Sequence, residues 1–395
     1  MSIQLLVARK FRNKILDKSN LGAVLDWAST TNQRLKRSFN KTEPSVYYHY
    51  YSRYTHPHIR ERFYDHSAPV QWKNYEDAAL AHFLQMPEKV VKPYLIEPND
   101  HILTIGHMFG ATKPSELINR IPDIQETIAS NNFKGFLLAP DGLEDQFRYY
   151  FGNDHECKML FFSQRRFIPT VDVLANRCDN NKKVSEPVNF LCLASDHEIK
   201  AVDILIDAWL AINHLNGATL TLACPNIPEE YLRRIKATKS IKLIQAAPLK
   251  ASIKSQLLSA GDVSIFLTHI DGGANLTEGM EYGHAVIVNT SHRSKYIVNT
   301  ENGLIVNFPH EFYKCGHYGV EYDSVEEYLD IVEQGKKAGN YDRSKIELQR
   351  AIVAYIENPE LLLQHSQNTL KAVAEQNLER SNTVLLDIYK KAIEG

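Results

Sequence analysis

DVSIFLTHIDGGANLTEGMEYGHAVIVNTSHRSKYIVNTENGLIV, residues 262–306, reads as a strand, a glycine loop, a helix and a second strand in close succession. The apolar run Val263–Leu267 predicts a buried strand. An acid and two glycines follow (Asp271, Gly272, Gly273), then a helix expected to hold Glu278 in its first turn. Gly283 marks that helix's end, and Ala285–Val288 is a second buried strand. A strand that feeds a helix through a glycine loop makes a cradle for an anion. The first N–H groups of the helix lack partners inside it, and the helix dipole adds positive potential there. Glu278 beside that anion suits a sugar hydroxyl as donor to its carboxylate. A site that takes both a phosphate and a hydroxyl points to a nucleotide or a nucleotide sugar.

The alternation of strand and helix extends on both sides of this stretch. Upstream, Val188–Leu193, Thr219–Cys224 and Ile241–Ile244 read as strands, with helices at Lys200–Leu215, Pro228–Lys236 and Lys250–Ser259. The strand at Asn302–Val306 closes a six-stranded, doubly wound α/β domain. The polar, proline-ended run Asp179–Pro187 reads as a linker. Before it, strands at Ile3–Ala8, Lys92–Ile96, Ile102–Ile105, Gly135–Ala139 and Lys158–Phe162 alternate with helices at Leu21–Arg37, Ser115–Ser130 and Asp141–Tyr150. The tyrosine-rich Tyr47–Tyr64 suits a strand with one wet face, or a surface on which sugars stack. The expected division is residues 1–185, residues 186–372 and a terminal helix, residues 373–395, that packs back on the first domain.

Composition bounds the function. A chain of 395 residues with 44% hydrophobic and 23% charged residues suits two soluble domains. A net charge of −2 speaks against nucleic acid as a partner. The five cysteines form no CxxC pair, which fits buried thiols in a reducing cytoplasm. No run reaches the ~18 apolar residues of a spanning helix. Nine basic residues between Arg9 and Lys41, against Asp17 and Asp26, form either a solvated helix face or a surface for an anionic membrane leaflet. His49, His56, His58 and His66 cluster in sequence as structural or acceptor-facing groups, without zinc-like spacing.

The ordered motifs of residues 188–306 resemble those of the retaining GT-B glycosyltransferases, family four in particular. These motifs are the strand FLCLAS, the helix KAVDILIDAWLAI with Lys200 and Asp203, the strands TLTLAC and IKLIQA, the loop DGGANLTEGMEYGHAVIV and the turn NGLIV. The resemblance implies a GT-B fold, two Rossmann-like doubly wound domains facing a central cleft. It implies that Lys200 meets the donor's pyrophosphate, that Glu278 binds the ribose hydroxyls and that Asp271 lies near the donor sugar. The backbone of Gly272, Gly273, Asn275 and Leu276 would face the leaving phosphate, with the Asn275 side chain and the Thr277 hydroxyl beside it. His107, in GHMFG after a mid-sheet strand of the first domain, would face the donor sugar.

The chain departs from the family in two places. The family's two glutamates have seven residues between them; here Asp271 replaces the first and six residues separate it from Glu278. The family's phosphate-binding arginine, five residues before the lysine, is Ser195. Losing one charged hydrogen bond to phosphate costs about 1.5–3 kcal/mol, roughly ten- to a hundredfold in affinity. His197, Arg293 or Lys295 would then supply the missing charge. The resemblance implies transfer of a sugar from a UDP- or GDP-linked donor to a glycan or lipid-linked hydroxyl with retention, without a metal or further cofactor. The setting would be surface polysaccharide synthesis on the cytoplasmic side of a membrane. A catalytically degenerate GT-B binding protein and a nucleotide-sugar epimerase are the other readings.

Overall fold

The computed structural model describes residues 6–7, 46–50, 80–84, 93–97, 114–138, 147, 151, 159–161 and 187–394, the last span without 247–248, 271–273, 292–296, 315–318, 321, 323 and 376–377. The chain divides into two compact units: residues 1–164 with 379–395, and residues 165–378.

Unit 1 holds a parallel sheet of β1 (Leu6–Val7), β2 (Val46–Tyr50), β3 (Leu80–Leu84), β4 (Tyr94–Glu97), β5 (Phe133–Leu138) and β6 (Met159–Phe161), lying side by side in chain order. The strand at Leu80–Leu84 has no counterpart in the sequence reading; Ile102–Ile105 and Leu21–Arg37 lie outside the described residues. A short helix, α1 (Pro114–Leu117), leads through a 3-10 turn into α2 (Ile121–Ala129), whose buried Ile124 and Ile128 are one turn apart on the same face. Tyr94, Phe133, Phe136, Phe147 and Phe151 form a continuous chain of ring contacts with centroids 4.8–5.5 Å apart.

The second unit contains β7 (Asn189–Leu193), β8 (Thr219–Ala223), β9 (Ile241–Ile244), β10 (Val263–Phe266), β11 (Ala285–Asn289) and β12 (Gly303–Val306), all parallel. Their order is β12-β11-β10-β7-β8-β9. The chain thus moves outward from β7 to β9, then returns to the other side of β7. Strands β10 and β11 are buried along their full length, which is why each is dominated by apolar residues, with Ser264 and Asn289 as the polar exceptions.

Helices cover this sheet: α3 (Val202–Leu210), α4 (Glu229–Lys236), α5 (Ala251–Ala260), α6 (Ala274–Glu281), α7 (Val325–Lys337), α8 (Asp342–Glu357) and α9 (Pro359–Glu375). The last helix, α10 (Leu378–Glu394), places Tyr389 and Ala392 against Leu80, Leu95 and Leu137 of unit 1. Helix α3 buries six of its nine residues, and Trp209 Nε1 donates to Ser240 Oγ at 3.0 Å. Ser324 caps α7 by accepting from the Glu327 amide at 3.0 Å.

Two details fix α6 on β10. Gly283 has φ +68°; its N–H donates to the Met280 carbonyl, and the His284 N–H reaches back to the Gly279 carbonyl, a Schellman stop. Ser264, the hydroxyl in buried β10, bonds His284 Nδ1 at 2.7 Å, while His284 Nε2 lies 2.7 Å from the Leu258 carbonyl. A carbonyl only accepts, so Nε2 carries the proton and Ser264 donates to Nδ1.

Candidate functional site

The reversal of strand order between β7 and β10 is a topological switch point. In open parallel sheets, ligands settle outside the carboxyl ends of the strands at such a point. The loop that leaves β7 there is tightly made. Asp196 Oδ1 accepts from the amides of Glu198 and Ile199, both at 2.9 Å. Ala201 then takes a left-handed conformation, φ +46°, although it is fully buried and not a glycine. That region costs an L-residue roughly 1–2 kcal/mol, so the surrounding packing must enforce it. This turn delays α3 to Val202, two residues after its expected start, and sets Lys200 ahead of it.

Lys200 is 9% exposed. Its Nζ donates to Thr268 Oγ1 at 3.1 Å and lies 5.1 Å from the centre of the Phe266 ring, a cation–π contact. Thr268 sits two residues past β10 and on the same face as Phe266, as strand alternation requires. Its amide donates to Asn289 Oδ1 at 2.8 Å, and Asn289 Nδ2 donates back to the Thr268 carbonyl at 2.9 Å. The His269 amide donates to the Ile199 carbonyl at 2.8 Å. The exits of β7, β10 and β11 are thereby stitched into one rigid rim around a buried ammonium.

Glu278 requires a correction. Helix α6 begins at Ala274, so Glu278 is its fifth residue and lies beyond the first turn. The glycine loop ends earlier than expected, and it is the amides of Ala274, Asn275 and Leu276 that open the helix. The half-buried Glu278 carboxylate is ion-paired with Lys254 of α5, so its charge is matched by a cation and not by the helix dipole alone. Leu276 is 1% exposed and packs with Phe266 and Met280, which leaves only its backbone for a ligand. Thr277 is half-buried and Ser195 is exposed on the β7 loop. Asp271, Gly272, Gly273, His107, Arg293, Lys295 and the side chain of Asn275 lie outside the described residues.

Asp203 does not turn toward Lys200. Its Oδ2 pairs with Lys336 Nζ of α7 at 2.6 Å. Near this pair lies His269, 3% exposed, boxed by Phe308, Tyr328 and Tyr341 with ring centres 5.3–6.2 Å away. Both of its ring nitrogens lack a hydrogen-bond partner among the described residues, as do His197 Nδ1 and Asp203 Oδ1. Burial holds the His269 pKa well below the ordinary value, and Lys336 and His310 push it the same way.

Cys192 and Cys224 are buried free thiols. Burial and the neighbouring Cys224 push Cys192 up to about 12, against an opposing pull from Lys200, so it stays an inert thiol. Among the described residues, no three His, Cys, Asp or Glu side chains gather as a metal site requires, and no helix is long and apolar enough to cross a membrane.

Thr268, Asn289, Phe266 and Lys254 belong to the site's surroundings and were not picked out by sequence. Two of them had a signal: Thr268 continues the β10 alternation, and Asn289 is the one polar residue of AVIVN.

No protein-family model matches the chain, and no curated protein matches it. Solved structures do. A glycosyltransferase from Rickettsia africae ESF-5 matches with a TM-score of 0.52 at 11% identity, over 89% of this chain and 91% of that one. Anabaena HepE, solved with UDP and glucose, matches with a TM-score of 0.50 at 12% identity, over 88% of this chain and 92% of that one. The GtfA/B complex matches over 77% of this chain but 54% of that one, with a TM-score of 0.48 and 12% identity. The likeness to the first two is one of fold: the chain has the GT-B fold, built from two Rossmann-like α/β units.

Proposed function

We propose that the protein is a retaining GT-B glycosyltransferase that moves a sugar from a nucleotide-sugar donor to a hydroxyl of a glycan or lipid-linked acceptor. The observation that carries this reading is the buried Lys200 ammonium, fixed at the switch point of a Rossmann-like sheet. Departure of a nucleoside diphosphate builds negative charge on its phosphates. A preorganised cation and the first amides of α6 stabilise that charge without reorganising. Glu278 takes the ribose diol, sharing its carboxylate with Lys254, while Asp271 and His107 attend the donor sugar. Ser195 supplies no charge at the phosphates, so Lys200, aided by His197, Arg293 or Lys295, carries that task.

On this reading the donor is UDP- or GDP-linked and no resident metal ion is needed. UDP leads because HepE, which shares the fold, was solved with it. The acceptor belongs to a surface polysaccharide, and the basic residues 9–41 hold the protein on the inner face of a membrane, in the cytoplasm. A second reading, a degenerate GT-B protein that binds nucleotide without transfer, is favoured by Ser195 in place of the arginine.

The test is a calorimetric and thermal-shift screen of UDP, GDP, ADP and their sugar conjugates on the wild type and on Glu278→Ala. A ligand that binds only the folded state raises its stability by mass action. One nucleotide class should bind, and bind more weakly to the variant. Absence of binding by every nucleotide refutes the donor site. Binding without sugar hydrolysis or transfer selects the degenerate reading.

A further inference from the structure

A lysine ammonium rides on four rotatable carbons, and holding it in place costs rotamer entropy. A phosphate ligand gains from a lysine only to the extent that the protein has already met that cost. In this protein the cost is met by two neighbours of Nζ. The Phe266 ring lies under Nζ, and Thr268 Oγ1 accepts from it at 3.1 Å. Thr268 is 1% exposed, a place where a hydroxyl is a liability unless it is bonded.

The bonding of that hydroxyl fixes its direction. Its acceptors are the Ile270 carbonyl and, at 3.4 Å, the Ile199 carbonyl, both of which only accept, so its single proton goes to one of them, while the Ile270 amide donates to the hydroxyl oxygen at 3.2 Å. The oxygen is therefore left as an acceptor toward Lys200, whatever the state of the solvent outside. The residue itself cannot drift, because Asn289, also 1% exposed, clamps both its amide and its carbonyl.

We propose that Thr268, held by Asn289, is a positioning residue that presets Lys200 Nζ for the diphosphate of a nucleotide ligand. The proposal rests on the reading of Lys200 as the phosphate ligand, and it extends that reading to a residue that acts through the lysine.

The experiment titrates UDP and uridine into the wild type, Thr268→Val, Thr268→Ser and Lys200→Met by calorimetry, with GDP and guanosine as the second pair. Thr268→Val keeps the volume and removes the acceptor. It should weaken the diphosphate about tenfold, the scale of one charge-assisted hydrogen bond, and leave the nucleoside unchanged. Thr268→Ser should restore diphosphate affinity to within about twofold, and Lys200→Met should lose at least as much as Thr268→Val. A mass-spectrometric acetylation rate at Lys200, measured without ligand, should rise in Thr268→Val and not in Thr268→Ser.

Wild-type diphosphate affinity in Thr268→Val, with Lys200→Met impaired, overturns the positioning role alone. Equal weakening of nucleoside and diphosphate, or no rescue by serine, shows a merely structural threonine and overturns it as well. An unimpaired Lys200→Met, or no binding of either diphosphate by the wild type, overturns the phosphate reading and the proposal with it.

Discussion

The two sheets are both parallel, yet they are wound differently. In unit 2 the chain starts in the middle at β7, runs out to β9 and returns to the far side for β10 to β12. In unit 1 the described strands lie in chain order from β1 to β6, so no reversal occurs among them. Lys200, Thr268 and Asn289 all collect at the reversal, at the exits of β7, β10 and β11. Winding, more than strand composition, therefore decides where a parallel sheet offers a ligand site. A crossover that reverses leaves two neighbouring strand ends whose loops diverge, and a ligand can settle in the crevice between them.

The sharpest way to break this contrast is to damage the two cores equally. Trp209, on the helix that follows Lys200, and Phe136, in the ring chain of unit 1, are both fully buried. Trp209→Ala and Phe136→Ala should each cost about 3–5 kcal/mol in denaturant titrations. At a temperature where both variants remain folded, Trp209→Ala should weaken UDP and Phe136→Ala should not. Equal loss in both would remove the nucleotide site from unit 2.

A smaller effect sharpens the description of how α6 is seated. Gly→Ala in an open helix stabilises by up to about 1 kcal/mol. At Gly279 the sign should invert, because a Cβ would stand 2.2 Å from Ser264 Oγ and 2.9 Å from its Cβ. Gly279→Ala should cost about 1–3 kcal/mol, seen as a lower midpoint with an unchanged denaturant slope. A stabilised variant would mean that α6 floats over β10 and cannot hold its first amides at a fixed distance from Lys200.

Much of unit 2 was legible because its central strands, β7, β10 and β11, are largely buried. AVIV and FLCL have no other way to be soluble, so their sequences announce them. The position of Lys200 was legible from the order of motifs, but its burial was not. Burial depends on Ala201 adopting a left-handed turn, and alanine gives no hint of that. Leu80–Leu84, LAHFL, escaped notice because alanine and histidine interrupt its apolar run. The start of α6 was misplaced because two glycines mark a loop without marking which residue makes the first helical turn. Thr268 continues the β10 alternation and Asn289 is the polar end of β11, but their mutual clamp joins residues 21 apart, so the sequence does not pair them.

The smallest expected effect concerns pH and again belongs to unit 2. His269 is boxed by Phe308, Tyr328 and Tyr341, and the charges that face it are Lys336 of α7, paired with Asp203 of α3, and His310. Neither nitrogen has a hydrogen-bond partner among the described residues, and none of these stabilises a second proton. Its folded pKa lies well below the ordinary value of about 6.5 that the unfolded chain retains. The unfolded chain therefore binds the extra proton first as pH falls. Stability from His269 is fully present above about pH 6.5 and is lost progressively below it, down to the folded pKa. His365, lowered mainly by its burial, acts in the same direction. His269→Phe fits the aromatic box and discards both unpartnered nitrogens, a change that is neutral or stabilising when the two polar atoms go together. The fall in Tm from about pH 7.5 to about pH 5.5 should shrink in this variant by about 2–4 °C for each kcal/mol of linkage removed. His365 contributes to the slope that remains. An unchanged slope in His269→Phe would place the acid sensitivity elsewhere. Because the His269 amide donates to the Ile199 carbonyl, faster hydrogen exchange at residue 269 on acidification would show that the loss begins at the rim that holds Lys200.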